Sequence, residues 1–172
     1  VAPELVEPSE SWPQPPKVSV LVAAWNERDV IGDHMASFER LRYPYRELII
    51  CAGGDDGTYV TATVSTGMPS GPRIVVLEQK AGEGKQHALQ RCLEQSRGEV
   101  LFLTDADCLL DDDSFETTLR PILLGHEAVT TGTSRPMTRQ LESSFVRLRW
   151  SMDRYVESHL PRYVSGLLGR NA

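Results

Sequence analysis

The segment Glu99-Val100-Leu101-Phe102-Leu103-Thr104-Asp105-Ala106-Asp107-Cys108 sets four consecutive apolar residues and a threonine before two carboxylates spaced one residue apart. A short apolar run of this kind predicts a strand buried on both faces, as inside a parallel sheet. Open α/β sheets place their ligands at the C-terminal ends of such strands. Side chains at i and i+2 of an extended backbone point the same way, so Asp105 and Asp107 are expected to converge. Converging carboxylates need a proton or a cation between them. A divalent metal, and through it a phosphate, is the expectation for this strand end.

Outward from that segment, strand and helix signals alternate. Val18 to Ala24 reads as a buried strand ending in Trp25-Asn26-Glu27, with Asn26 and Asp29 as a capping pair for a helix over 29–42. Glu47 to Ala52 is a second strand, closed by Gly53-Gly54-Asp55-Asp56-Gly57-Thr58 and a short helix over about 58–66. Arg73 to Leu77 is a third strand, and Gly82 and Gly84 lead into a helix over 85–96 that Gly98 terminates. Asp111 to Ser114 cap a helix carrying Phe115, Leu119 and Ile122. Ala128 to Thr133 reads as a further strand, and Leu141 to His159 as a long one-faced helix. This alternation predicts an α/β fold, three-layered and Rossmann-like, around a mostly parallel sheet. Residues 1–16, with five prolines, form a linker, and 17–172 form one domain.

In such a sheet Trp25-Asn26-Glu27, the turn Gly53 to Asp56, and Asp105/Asp107 fall on one edge. An aromatic beside a carboxylate can hold a nucleoside, and a glycine-rich turn lets a ligand approach the backbone. A carboxylate pair suits Mg2+ or Mn2+, which take oxygen ligands and keep water or phosphate in their shell. Lys80-Ala81-Gly82-Glu83-Gly84-Lys85 puts two lysines around the start of a helix, a setting that favours phosphate. It is not a Walker loop, because Gln79 and Gln86 stand where glycine and Ser/Thr belong.

Composition narrows the partners. A net charge of -6 without a basic stripe argues against nucleic acid. No apolar run reaches the length of a membrane span, and no signal-peptide pattern opens the chain. Cys51, Cys92 and Cys108 have no metal-ligand spacing and read as free, buried thiols. His34, His87, His126 and His159 share no ligand spacing and read as surface or half-buried groups. Asp111 to Asp113 are helix-cap acids, and Arg147, Arg149 and Arg154 form a solvated helix face.

Together these motifs resemble the inverting family-two glycosyltransferases of the GT-A fold, from about Lys17 to Ala172. Val20 to Glu27 is similar to the family's first strand with its nucleoside-contacting end, so the resemblance puts Ala23, Trp25 and Glu27 on the donor. Lys80 to Leu89 resembles the Gly-Lys-x-x-Ala-Leu segment and brings Gly84 and Lys85 to the donor. Thr104-Asp105-Ala106-Asp107 matches the D-x-D motif. By that match Asp107 ligates Mn2+ or Mg2+, Asp105 contacts the ribose or shares the ion, and Ala106 lies between them. Gly166 to Ala172 is similar to the segment before the acceptor site, which implies acceptor-side roles for Arg170 and Asn171.

The second strand departs from the family pattern. Cys51-Ala52-Gly53-Gly54 precedes Asp55 and Asp56, so either acid is displaced from the usual base-binding place. The family's general base lies downstream of the Gly-x-Asn segment, hence beyond Ala172, and the sequence is expected to hold mainly the donor-binding part. The resemblance implies a nucleotide-diphosphate sugar donor, a hydroxyl acceptor, and a parent protein attached to a membrane with its donor site facing the cytoplasm. Two other readings are weaker. A sugar nucleotidyltransferase would need a Gly/Arg-rich loop where Trp25-Asn26-Glu27 stands. A phospho-accepting signalling domain would need its acidic pair after the first strand.

Overall fold

The computed structural model describes residues 14–66 and 71–132, with Ser143, Ser144, Arg147, Leu148 and Ser151 beyond them. The elements run β1 (Val18–Trp25), α1 (Arg28–Arg40), β2 (Arg46–Gly53), α2 (Thr58–Val64), β3 (Arg73–Glu78), α3 (Gly84–Gln95), β4 (Val100–Asp105) and α4 (Asp112–Leu123). The four described strands form one sheet in the order β3-β2-β1-β4, every pairing parallel. This is the Rossmann-like architecture expected from the alternation of strand and helix signals.

Alternate residues of β1 and β2 feed two separate cores, as the period of two along a strand requires. Val18, Val20, Val22, Leu48 and Ile50 pack with Ile31, Met35 and Phe38 of α1, Ala62 of α2, and Phe115 and Leu119 of α4. Leu21, Ile49 and Cys51 pack on the other face against Ala88 and Cys92 of α3. Helices therefore cover both faces and make three layers. Near-continuous apolar runs in β1 and β2 reflect this double burial.

β4 differs from the expectation of burial on both faces. Its Val100 and Phe102 turn towards the larger core, but Leu101 is 42% exposed and Leu103 60%. Leu101 and Leu103 pair in register with Ser19 and Leu21, on the α3 side of the sheet. α3 packs over β1 and β2 and does not extend across β4, which is an edge strand among the described residues.

Three local expectations are also corrected. Residues 128–132 of the anticipated strand 128–133 form no strand, and Val129 is exposed; β-branched residues favour a strand only where a partner strand completes the ladder. Asn26 and Asp29 are not a capping pair: Glu27 is the N-cap of α1, its own side chain makes no cap bond, and Asn26 is left-handed at φ 57°. Gly98 does not end α3, whose C-cap is Ser96. A Cβ on Gly98 would come 2.6 Å from the Ser19 amide nitrogen, so glycine is needed there for close approach to β1.

The cap of α4 and the free thiols are as expected. Asp111 caps α4, its carboxylate accepting from the Ser114 N–H at 2.9 Å. The three cysteines are free, Cys51 and Cys92 buried and Cys108 partly so. At the end of the proline-rich start, Pro16 is buried and its carbonyl accepts from the Tyr43 hydroxyl at 2.7 Å. Residues 1–13, the acceptor-side pair Arg170 and Asn171, and most of the helix expected over 141–159 lie outside the described residues. The described part of that helix shows helical bonding, Arg147 N–H to the Ser143 carbonyl at 3.0 Å. Among the described residues no helix is long and apolar enough to cross a membrane.

Candidate donor-binding site

The register puts the three polar strand ends side by side. Trp25 pairs with Gly53 across β1 and β2, and Ala23 pairs with Asp105 across β1 and β4. All the strands are parallel, so these ends share the C-terminal edge of the sheet.

The turn after β2 is built by its own neighbours. A Cβ on Gly53 would stand 2.8 Å from the Trp25 ring, and Gly54 has φ 111° with Asn26 packed against it. The two glycines thus admit Trp25, Asn26 and the Gln79 backbone; protein atoms already fill the close approach that the sequence suggested for a ligand. Asn26 binds the two strand ends together, donating its N–H to the Gly53 carbonyl at 3.1 Å and accepting from the Asp55 N–H at 3.0 Å.

Asp55 and Asp56 separate clearly. One oxygen of Asp56 accepts from the Thr58 hydroxyl at 2.6 Å and its N–H at 2.9 Å. The other accepts from the Arg28 N–H at 3.0 Å. The Thr58 hydroxyl bond and the two N–H bonds hold the Asp56 pKa below the usual carboxylate range. Thr58 in turn accepts from the Glu27 N–H at 2.7 Å, so Asp56 and Thr58 organise the starts of α1 and α2. Asp55, by contrast, is exposed.

The approach to α3 is glycine-bearing for a conformational reason. Gly82 and Gly84 take φ of 85° and 70°, which other residues rarely adopt, and a Cβ on either would meet nothing within 4 Å. Gln79, buried, holds this loop by donating Nε2 to the Gly84 carbonyl at 3.3 Å. Glu83 ties it from inside, accepting from the Lys80 N–H at 2.8 Å and from Arg91 at 3.0 Å. Lys85, in the first turn of α3, donates Nζ to Asp105 Oδ1 at 2.5 Å, with both side chains about 60% exposed.

Asp105 is the last residue of β4 and Asp107 lies in the turn after it, where the Cys108 N–H donates to the Asp105 carbonyl at 3.2 Å. The two acids are therefore brought to the edge by a turn; the strand pleat does not align them as the spacing suggested. Buried Ala106 anchors the turn between two exposed carboxylates. Their charge reaches Glu27. Burial first, then Asp107, Asp105 and Asp56, raise the Glu27 pKa, with only Lys85 opposing. Four carboxylates thus share one edge with a single exposed lysine acting against their field.

This oxygen-rich, cation-poor set suits a hard divalent ion. Among the described residues no three acidic, His or Cys side chains close around one point, so these residues do not form a complete cage. Mg2+ and Mn2+ fit that arrangement, because they are commonly held by one or two carboxylates plus water and substrate phosphates. Asp105 and Asp107 have the chemistry to hold such an ion.

Sequence reasoning missed several residues that shape this edge: Asn26 as a joint, Thr58 as a hub, Gln79 as a tether, and His34. His34 is completely buried, contrary to the surface or half-buried role expected for it, whereas His87 and His126 are exposed as expected. The signal for His34 was its place one helical turn from Ile31 and from Phe38, on the apolar face of α1.

A match to the glycosyltransferase-like family 2 covers residues 15–170, and this chain belongs to that family. The poly-beta-1,6-N-acetyl-D-glucosamine synthase of Staphylococcus epidermidis is 29% identical over 97 residues, 56% of this chain and 23% of that protein. The chain therefore spans about a quarter of the length of this curated relative. A mannosyltransferase from Pyrobaculum calidifontis, solved with GDP-mannose and Mn2+, superimposes with a TM-score of 0.59 at 24% identity, covering 73% of this chain and 36% of that one. Glucosyl-3-phosphoglycerate synthase from Mycobacterium tuberculosis, solved with Mn2+, UDP-glucose and glycerol 3-phosphate, gives 0.50 at 25% identity over 64% of this chain and 41% of its own. The fold is the GT-A fold of these glycosyltransferases, and family membership sets aside the nucleotidyltransferase and signalling-domain readings.

Proposed function

We propose that this chain binds a nucleotide-diphosphate sugar in a divalent-metal-dependent manner, as the donor half of an inverting glycosyltransferase acting on a hydroxyl acceptor. The observation that carries it is the unbalanced carboxylate edge, with Glu27 pushed up by burial and by Asp107, Asp105 and Asp56. A metal–diphosphate unit would supply the missing cation and bring phosphate within reach of Lys85. Solved GT-A relatives with Mn2+ and GDP-mannose or UDP-glucose support the same reading.

In this proposal Asp107, with Asp105, holds the metal, which when bound neutralises the diphosphate and makes it a better leaving group. Lys85 exchanges its bond to Asp105 for the phosphates, adding positive charge where negative charge develops. Trp25 and Ala23 line the nucleoside side, where exposed Asp55 reads the base and Asp56 keeps its structural role. In-line displacement inverts the anomeric carbon, and the acceptor's proton passes to a carboxylate base that is not among the residues placed here. The reading carries the expected cytoplasmic orientation of the donor site with it, as sugar nucleotides are made there.

Calorimetric titration with UDP and with GDP, each with and without Mn2+, tests the proposal. Binding of one nucleotide that depends on Mn2+ and weakens at least tenfold in Asp107→Asn is the expected result. Neither nucleotide binding to the folded chain, or equal binding by Asp107→Asn, would overturn it.

A further inference from the structure

The segment after the carboxylate turn runs along α1 and is tied to that helix and the residues just beyond it at every second residue. Nδ1 of His34 meets the Cys108 carbonyl at 2.6 Å. The Leu110 N–H donates to the Ser37 hydroxyl oxygen at 3.0 Å, and that hydroxyl donates to the His34 carbonyl at 2.7 Å. Just beyond α1, the Arg42 N–H and Nε donate to Asp112 at 2.7 and 2.8 Å. The first two ties are buried or partly buried. The third is exposed.

His34 has a defined tautomer in this arrangement. A carbonyl only accepts, so Nδ1 must carry the proton, and Nε2 is left as a buried acceptor without a partner among the described residues. Leaving a buried polar atom unpaired is destabilising, and an apolar residue would fill the same face of α1 without that cost. Packing alone therefore does not account for an imidazole here; its bond to Cys108 does.

Cys108 is the residue directly after Asp107. On the other side of the turn, Asp105 is fixed by its pairing with Ala23 of β1. We infer that His34, seconded by Ser37, is a positioning residue for the metal-binding turn, clamping its downstream end to α1 as β1 clamps its upstream end. Asp107 then sits on a backbone held at both sides, although its own side chain is exposed. The inference rests on the metal reading of Asp105 and Asp107 given above. It assigns the orientation of those ligands to a helix that itself contributes no ligand. Partners that orient a metal ligand from behind commonly change metal affinity by about 10–100-fold when removed.

The test compares Mn2+ affinity, in the presence of UDP or GDP, for the intact chain and three variants, each checked for folding by thermal unfolding. His34→Leu is expected to weaken Mn2+ about tenfold or more. His34→Asn places an amide N–H where Nδ1 stood and is expected to recover affinity to within about threefold of the parent. Ser37→Ala is expected to weaken Mn2+ by a smaller factor and to speed hydrogen exchange at the Leu110 amide. Unchanged affinity in a folded His34→Leu, or Asn behaving as Leu does, overturns the clamp while leaving the metal reading intact. If His34→Leu does not fold, unchanged Mn2+ affinity in Ser37→Ala overturns it instead. A folded parent chain that binds no Mn2+ with either nucleotide overturns the metal reading and the clamp together.

Discussion

The two ends of the same sheet treat carboxylates in opposite ways. At the N-terminal edge the carboxylate of Glu47 is completely buried and fully answered. Lys17 and Arg73 pair with it at 2.8 and 2.9 Å, and the Ser19 hydroxyl and Arg97 N–H donate to it at 2.6 Å each. Burial by itself would raise its pKa, but these bonds outweigh burial and bring it to about 2. At the C-terminal edge Glu27, Asp105 and Asp107 face one exposed Lys85, while Asp56 is held by Thr58 and the Arg28 N–H, and the Glu27 pKa moves up. A carboxylate supplied with every partner serves the fold. A group of carboxylates left short of positive charge is arranged for something that brings it.

The largest effect that follows is at Glu47. Glu47→Gln leaves Lys17 and Arg73 without their counter-charge, and loss of one partner of a buried pair costs about 3 kcal/mol or more. Urea unfolding should show that loss, with Mn2+-dependent nucleotide binding kept by the folded protein. A drop in binding without a drop in stability would erase the division between the two edges.

Acid titration sharpens the same contrast. The Glu47 pKa lies below its ordinary 4.5, so its stabilisation is complete above about pH 4.5 and is lost as pH falls towards 2. Unfolding midpoints of the parent should fall steeply across that window, and those of Glu47→Gln should fall less. Glu27 has the opposite sign. Its raised pKa favours the folded chain at low pH, and that contribution disappears as pH rises through its folded value. Glu27→Gln should therefore raise the unfolding midpoint slightly at pH 7 and lose the advantage in acid. Added Mn2+ should stabilise the parent and narrow the gap between the two. The smallest effect belongs to Lys85→Ala. Its exposed pair with Asp105 contributes within about 0.5 kcal/mol, so stability should hold while nucleotide diphosphate affinity falls about tenfold.

Much of the fold was readable because β1 and β2 carry the apolar runs of doubly covered strands, and Asp111 its helix cap. β4 misled because its run of Val100 to Leu103 has the same composition, yet coverage depends on how far α3 reaches. The site was readable as motifs: Trp25 to Glu27, Gly84-Lys85 and Asp105-Ala106-Asp107 do come to one edge. Their supports were not. Asn26 at φ 57°, Thr58 beneath Glu27, and His34 behind Cys108 act through contacts 29, 31 and 74 residues apart in the chain, which no local spacing encodes. The glycines at 53 and 54 looked like room for a ligand and prove to be room for Trp25 and Asn26.

The register of the sheet also orders its assembly in time. Val18 pairs with Arg46 and Glu47 with Arg73, but Val18 must find Val100 to join β1 to β4. Before β2 and β3 are in place, closing that longer loop costs about 1 kcal/mol more in chain entropy than closing either of the shorter ones. Docking of β4 is therefore expected last, so a chain with only β1, β2 and β3 joined has the nucleoside-side residues but not yet Asp105 and Asp107. Mn2+ uptake during refolding should lag the burial of the β1–β2 core, making the ion a reporter of the last strand to arrive.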